Sequence, residues 1–192
     1  DRLQAIPGVE TAGLTSVLPV SANFDRRTME VEGQPKGPGE NPDVDNYMVS
    51  PDYLRAMSIP MQRGRALTMQ DNENAPLVVL VSETMAHKIW PGQDPVGKRV
   101  RFHSSSKENP WRTVVGVVSD VKQYGLDTAG TMAMYETLAQ FPSPALTLVV
   151  RSASEPPTVI AAVRREILAL DKDQAVFGIQ TMEQIVNDSI SL

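Results

Sequence analysis

The chain has 192 residues, a formal net charge of −5, no cysteine and two histidines. This composition excludes disulfide scaffolds, cysteine-ligated metal centres and thiol nucleophiles, and its acidic balance argues against a dedicated nucleic-acid binder. An apolar fraction of 41% with 21% charged residues is typical of a folded globular chain of one large or two small domains, and no apolar run is long enough to span a membrane.

Nine segments have the alternating or bounded apolar composition of β-strands. In chain order they are residues 9–17, 27–32, 43–49, 77–81, 98–102, 111–118, 132–135, 146–151 and 175–179. The segment at 77–81 is apolar at every position, which predicts a strand buried on both faces. Gly64 and Arg65 predict a turn between the third and fourth of these strands.

Helix signals are found at residues 51–57, 82–90, 156–170 and 181–190. Ser50 and Pro51 suit the N-cap and first position of the first helix, and Ser82 suits the N-cap of the second. Thr181 and Gln184 have the spacing of a capping box at the start of the last.

The helix at 156–170 has one apolar stripe, formed by Val159, Ile160, Val163, Ile167 and Leu170. The strands predicted on either side of it, at 146–151 and 175–179, indicate a βαβ unit or its split variant. Both ends of the chain carry helical patterns. We expect them to continue as helices in a longer protein.

Two segments imitate catalytic motifs. Residues 92–98 have P-loop spacing, but Arg99 stands where Ser or Thr is required, and the segment leaves a helix and enters a strand. Residues 104–107 have the S-x-x-K spacing of penicillin-binding enzymes without the partner motifs. Neither predicts an enzyme.

Metal ligands are equally sparse in the sequence. His87 and His103 have no carboxylate at metal-ligand spacing, and residues 71–74 lack the glycine and distal glutamate of a calcium loop. The sequence therefore predicts no metal site, no cofactor and no catalytic residue.

A family resemblance rests on several segments in a fixed order. They are IPGVETAGLTSVLPV, VSPDYLRAMSIPMQRGRALTMQD, VVLVSETMAHKIWPGQDPVGKRV, WRTVVGVVSDVKQYG, MAMYETLAQ, LTLVVRS and LDKDQAVFGIQTMEQIVNDSI. Their order and spacing resemble the extracytoplasmic core domain of MacB-like and FtsX-like ABC transporter permeases, in which this domain lies between the first and second transmembrane helices.

The resemblance implies an α+β fold with two lobes. We expect a porter-like split βαβ lobe at residues 1–45 and 121–192, and a smaller α/β lobe inserted at residues 46–120. Five residues match family-like positions: Gly64, Arg65, Asp71, Gly97 and Gly116. We expect the glycines to meet backbone requirements and Arg65 and Asp71 to form a structural polar contact.

The resemblance also implies a non-catalytic function on the periplasmic side of the bacterial inner membrane. A cytosolic ATPase domain or subunit would move transmembrane helices, and the domain would transmit that motion to a substrate or partner outside. A periplasmic adaptor protein and a dimeric full-length protein are further expectations, whereas nucleic acid is not a partner. The alternatives are a stand-alone module binding a ligand between its lobes, and an enzyme whose site the sequence does not reveal.

Overall fold

A computed structural model describes residues 2–20, 24–35, 37, 39–104, 109–122 and 130–190 of the chain. It contains nine strands and four α-helices within those residues. The strands are β1 (Val9–Thr15), β2 (Arg26–Val31), β3 (Asp43–Val49), β4 (Met61–Gly64), β5 (Val78–Ser82), β6 (Arg99–Phe102), β7 (Arg112–Val118), β8 (Ala133–Thr137) and β9 (Thr147–Ser152). The helices are α1 (Tyr53–Ala56), α2 (Glu83–Ile89), α3 (Pro156–Leu170) and α4 (Met182–Ile190).

Six of the strands close into a ring. Their hydrogen-bonded order is β2-β6-β7-β5-β8-β3, and β3 pairs back to β2. The β3–β8 and β5–β7 pairs are parallel and the other pairs in the ring are antiparallel. Closure satisfies the main-chain groups that an open sheet would leave at its edges.

The apolar core divides between the two faces of the ring strands. Val79 and Val81 belong to one cluster and Val78 and Leu80 to the other, since successive side chains on a strand point to opposite faces. The inner cluster draws on all six ring strands, with Met29, Val44, Val79, Val100, Val114 and Met134 among its members. Met85 and Trp90 belong to it as well, so α2 covers one end of the ring interior.

The outer cluster packs the ring against the remaining elements. Tyr47 and Tyr135 stack in it with ring centroids 5.2 Å apart, and Tyr53 of α1 and Val149 of β9 join them. Beyond the ring, β1 pairs along its length with β9 and touches β3 at Thr15. The fold is α+β, as expected.

The structure confirms eight of the nine predicted strands and the capping of two helices. Ser82 accepts a hydrogen bond from the Met85 amide at 3.2 Å. At α4, the Thr181 amide donates to Gln184 at 2.8 Å and the Gln184 amide donates to Thr181 at 3.2 Å, which is the predicted capping box.

The predicted N-cap of the first helix is wrong. The helix begins at Tyr53 with Asp52 as its N-cap, and Pro51 lies in a turn before it. The Ser50 hydroxyl instead accepts a hydrogen bond from the Leu14 amide at 2.9 Å. A contact to a distant strand has therefore replaced local capping.

The strand predicted at 175–179 is also wrong, and with it the βαβ unit. These residues form no strand, Gly178 has a φ of +67° that interrupts an extended run, and the Phe177 side chain is 88% exposed. The stripe on α3 packs only in part, because Val159 is the helix's one buried residue.

Strand β4 was missed because three of its four residues are exposed and its sequence, MQRG, carries no apolar alternation. Residues 105–107 of the S-x-x-K segment and residues 127–129 of a predicted turn lie outside the described residues. Among the described helices, none has the length and apolar character needed to cross a bilayer. The lobe boundaries at 46 and 120 stay a prediction; β5 of the inserted segment pairs with β8, beyond that boundary.

Candidate functional site

The five residues singled out from the sequence lie along one edge of β7 or in the loop that follows β4. Gly64 faces Gly116 across the β4–β7 pair. The Arg65 amide donates to Val115 at 3.0 Å, and the Gly97 amide donates to Val114 at 2.8 Å. We call this set, with Asp71, the β7 edge site.

The two paired glycines allow β4 and β7 to approach closely. Gly64 has a φ of +73°, and a Cβ there would lie 2.3 Å from the Val115 carbonyl oxygen. A Cβ on Gly116 would lie 2.6 Å from the Arg65 carbonyl oxygen. No side chain fits at either position without moving backbone, so both glycines set the spacing of this strand pair.

Arg65 and Asp71 brace the loop that leaves β4. The guanidinium donates two hydrogen bonds to the carboxylate, at 2.8 and 2.7 Å, in the fork geometry of strong charge-assisted pairs. The Asp71 carboxylate also accepts from the Thr68 amide at 2.8 Å and from its hydroxyl at 3.2 Å. These donors, Arg65 first, lower the pKa of Asp71 below its ordinary value.

Gln140 fixes the far end of the same loop, although no pattern in the sequence had indicated this residue. Its amide nitrogen lies within 3.4 Å of the carbonyl oxygens of Asn72, Ala75 and Pro76. Its carbonyl oxygen accepts from the Val78 amide at 3.2 Å. One side chain therefore joins the loop to the turn after β8.

A buried ion pair lies inside the ring near the start of β7. Arg112 donates to Glu136, and their side chains are 7% and 2% exposed. The guanidinium also lies over the rings of Phe102 and Phe141, at 4.7 and 4.5 Å from their centroids. A charged residue inside the apolar run of β7 was the one signal from which the sequence could have suggested this pair.

The charges on the outside of β2 and β6 are paired as well. Glu30 accepts from Arg101 at 2.7 Å and lies 2.7 Å from Nδ1 of His103. His103 and Arg101, in that order, lower the pKa of Glu30. Within the described residues, no three His, Asp or Glu side chains are grouped so as to hold a metal ion.

Two shallow surface clefts lie near α2, with volumes of about 140 and 160 Å³, and both include Lys88 in their walls. Ligand pockets for small molecules are usually about 300–1,000 Å³. Both clefts are therefore smaller than the usual pocket for a small-molecule ligand.

Comparison with known proteins fits this architecture. The family model of the MacB-like periplasmic core domain matches residues 2–170. The chain belongs to this family. It is thus a periplasmic core domain of the type found in MacB-like ABC transporter permeases, as the sequence segments indicated.

One related protein and two solved structures are similar to this core domain. The macrolide export ATP-binding/permease protein MacB of Aggregatibacter actinomycetemcomitans is 30% identical over 89 residues, which are 46% of this chain and 13% of that protein. The periplasmic region of MacB from Actinobacillus actinomycetemcomitans superposes with a TM-score of 0.65 at 15% identity, covering 98% of this chain and 79% of that one. The extracellular domain of the transporter YknZ from Gram-positive bacteria superposes with a TM-score of 0.60 at 16% sequence identity, covering 93% of this chain and 85% of that one. At these identities, the two structures establish the fold alone.

Proposed function

We propose that this core domain is the extracytoplasmic part of an ABC transporter permease and that it transmits ATP-driven motion of transmembrane helices to a substrate or partner outside the membrane. The observation that carries the proposal is the family match over residues 2–170. In this proposal the domain acts by being moved and performs no reaction of its own.

The internal construction of the domain supports a mechanical role. A body that transmits displacement must resist deformation, and closed strand pairing, close-packed cores and braced loops all provide that resistance. The ring of six strands, the buried Arg112–Glu136 pair and the Arg65–Asp71 brace are three such features. Each joins segments that are distant in sequence or stiffens a loop between them.

The remaining parts of the proposal come from the family resemblance described above. The parent protein would lie in the bacterial inner membrane with this domain on the periplasmic side. Its partners would be a cytosolic ATPase domain or subunit, a periplasmic adaptor protein and a second copy of the parent. The alternative of a stand-alone ligand-binding module is not favoured, since the two clefts beside α2 are smaller than the usual ligand pocket.

The placement outside the membrane can be tested by cysteine labelling of the parent protein in intact cells. Met69 is 80% exposed, and this chain has no native cysteine to compete for the reagent. We expect Met69→Cys to react with a membrane-impermeant maleimide before lysis. Val79→Cys, in the core, should react only after denaturation. Reaction of Met69→Cys only after lysis would contradict the proposed location.

A further inference from the structure

β9 is an edge strand, and its outer side is unpaired in the described part of the chain. It lies last in the strand order of the sheet and pairs only with β1. Leu14 of β1, which faces Leu148, turns its amide and carbonyl to Ser50 and so exchanges no hydrogen bonds with β9. The main-chain groups of Leu148, and of Val150 two residues on, therefore point away from β1. Within the described residues, neither has a hydrogen bond on that outer side.

β9 lacks the features by which soluble proteins usually prevent pairing at a sheet edge, which are short strands, lysine, proline and inserted residues. Residues 147–152 read Thr-Leu-Val-Val-Arg-Ser. Their register against β1 is continuous, because the extra residue in that pair is Glu10, on β1. The one charged side chain of β9, Arg151, donates from Nε to the Ala56 carbonyl of α1 at 3.0 Å. The outer edge of β9 is therefore regular and free of a guarding charge.

β4 is the other strand with a single partner among the described strands, and it is protected. It has four residues, three of them exposed, and its register against β7 is irregular between Met61 and Arg63. Arg63 also places a charge there, 3.6 Å from Asp94. The contrast within one chain marks the β9 edge as the one suited to pairing with a further strand.

The sequence of β9 is complementary to itself in one antiparallel register. With a two-fold axis at Val149, Leu148 would face the Val150 of a second copy, and Arg151 would face its Thr147. Apolar side chains then meet apolar ones, and no like charges meet. An axis at Val150 would instead set Arg151 against Val149. Because both copies use the same strand, the pairing closes at two chains and does not extend into a fibre.

We propose that two copies of this chain associate through β9, edge to edge and antiparallel about Val149, so that one sheet continues across the dimer. The outward amides and carbonyls of Leu148 and Val150 form the new hydrogen bonds. The pairing also covers part of Leu146, which is 44% exposed directly before the strand. As a surface for the second copy of the parent, it rests on the proposed function. The association itself is tested on the 192-residue chain, so its failure would leave that function standing.

Cysteine cross-linking tests the pairing and its register. The chain lacks cysteine, so Thr147→Cys and Arg151→Cys, made in separate chains, carry one thiol each. In the proposed dimer these two positions face each other with Cα atoms about 4.5 Å apart, which is within disulfide range. In either variant alone, the equivalent thiols lie roughly 13 Å apart along the strands.

We expect an equal mixture of the two variants to form a disulfide-linked dimer about tenfold faster than either variant by itself, because pairing raises the effective concentration of the facing thiols. The two separate variants are thus matched controls for random collision. Equal rates in all three samples would show that no such pairing occurs. Faster cross-linking in one variant alone would show a different register. Either result overturns the proposal.

Sedimentation equilibrium tests the association without cysteines. We expect the mass of the native chain to rise with concentration from 21.0 kDa toward twice that value. Val150→Pro removes an amide that points away from β1, which an edge strand tolerates, and should keep the chain monomeric with cooperative urea unfolding. Met69→Ala removes an apolar side chain that is 80% exposed outside β9 and should associate like the native chain. A native chain that stays monomeric, or a Val150→Pro variant that dimerises equally, would overturn the proposal.

Discussion

Arg112 and Glu136 form a charge pair inside the strand ring, on strands that are separated by β5. The pair cannot be solvated where it lies, so each charge depends on the other. The Phe102 and Phe141 rings take the place of water around the guanidinium. This contact stiffens the ring only while both charges are present.

Removing one partner of this pair should therefore destabilise the domain strongly. We expect Arg112→Met to lower the free energy of unfolding by about 3–5 kcal/mol, because it leaves a buried carboxylate alone. The double variant Arg112→Met with Glu136→Leu should recover most of that loss. Urea unfolding measures both. As a control, Glu32→Gln removes the charge of an exposed pair with Arg99. If Arg112→Met lowered the free energy of unfolding by no more than this control does, the importance assigned to the buried pair would be wrong.

The Gly64 position can be tested against a glycine of similar backbone. Gly64 and Gly33 have φ values of +73° and +75°, but a Cβ on Gly33 meets nothing within 4 Å. Gly33→Ala should cost about 1 kcal/mol for the left-handed backbone alone. Gly64→Ala adds the collision with Val115 and should cost about 2 kcal/mol or more beyond that. Equal losses in urea unfolding would show that the close approach of β4 and β7 is not needed.

The Arg65–Asp71 brace predicts a pH-dependent contribution to stability. The pKa of Asp71 is lowered by folding from 3.8, so the contribution is complete above the unfolded-state pKa and disappears as pH falls through the folded one. We expect Asp71→Asn to cost about 1–2 kcal/mol at neutral pH, since Arg65 is half-exposed. The difference from the native chain should hold to about pH 5 and shrink below about pH 4. Asp94→Asn, at an exposed pair, is the control, and a penalty that grew on acidification would reverse the assigned sign.

The apolar stripe of α3 gives a graded prediction. Val159 is 6% exposed, whereas Val163 is half-buried. Val159→Asp places a charge in a buried site and should lower the melting temperature clearly. Val163→Asp should lower it less. The sequence placed Val163 in the same apolar stripe as Val159, but the structure packs it less closely. A larger drop in melting temperature for Val163→Asp than for Val159→Asp would contradict this order.

Elements that local sequence patterns determine could be predicted, whereas elements that depend on contacts distant in the chain could not. The run at 77–81 and the cap at Ser82 are local signals, and both appear as β5 and α2. Ser50 carried an equally good local signal, yet its hydroxyl bonds to Leu14, which no local pattern encodes. β4 is held by its pairing with β7 and not by its own composition.

The same distinction applies to the β7 edge site and the buried pair. Gly64 and Gly116 were identified because their positions match those of a family, and the steric reason is that a Cβ on either would collide with backbone. Gln140 and Glu136 were missed because their roles arise from partners more than 20 positions away in the chain. The closure of β3 onto β2 likewise depends on pairing that alternation along a strand does not specify.

We propose that the domain moves as a rigid body when the parent protein binds or hydrolyses ATP. We would measure two distances in the parent protein in bilayers: one from a dye on Met69→Cys to acceptors at the lipid surface, and one within the domain between Met69→Cys and Glu32→Cys. The proposal predicts that the first changes with nucleotide while the second stays constant, and that neither changes in an ATPase-inactive parent. A distance to the bilayer that does not change with nucleotide, or a within-domain distance that does, would contradict the proposed transmission of motion.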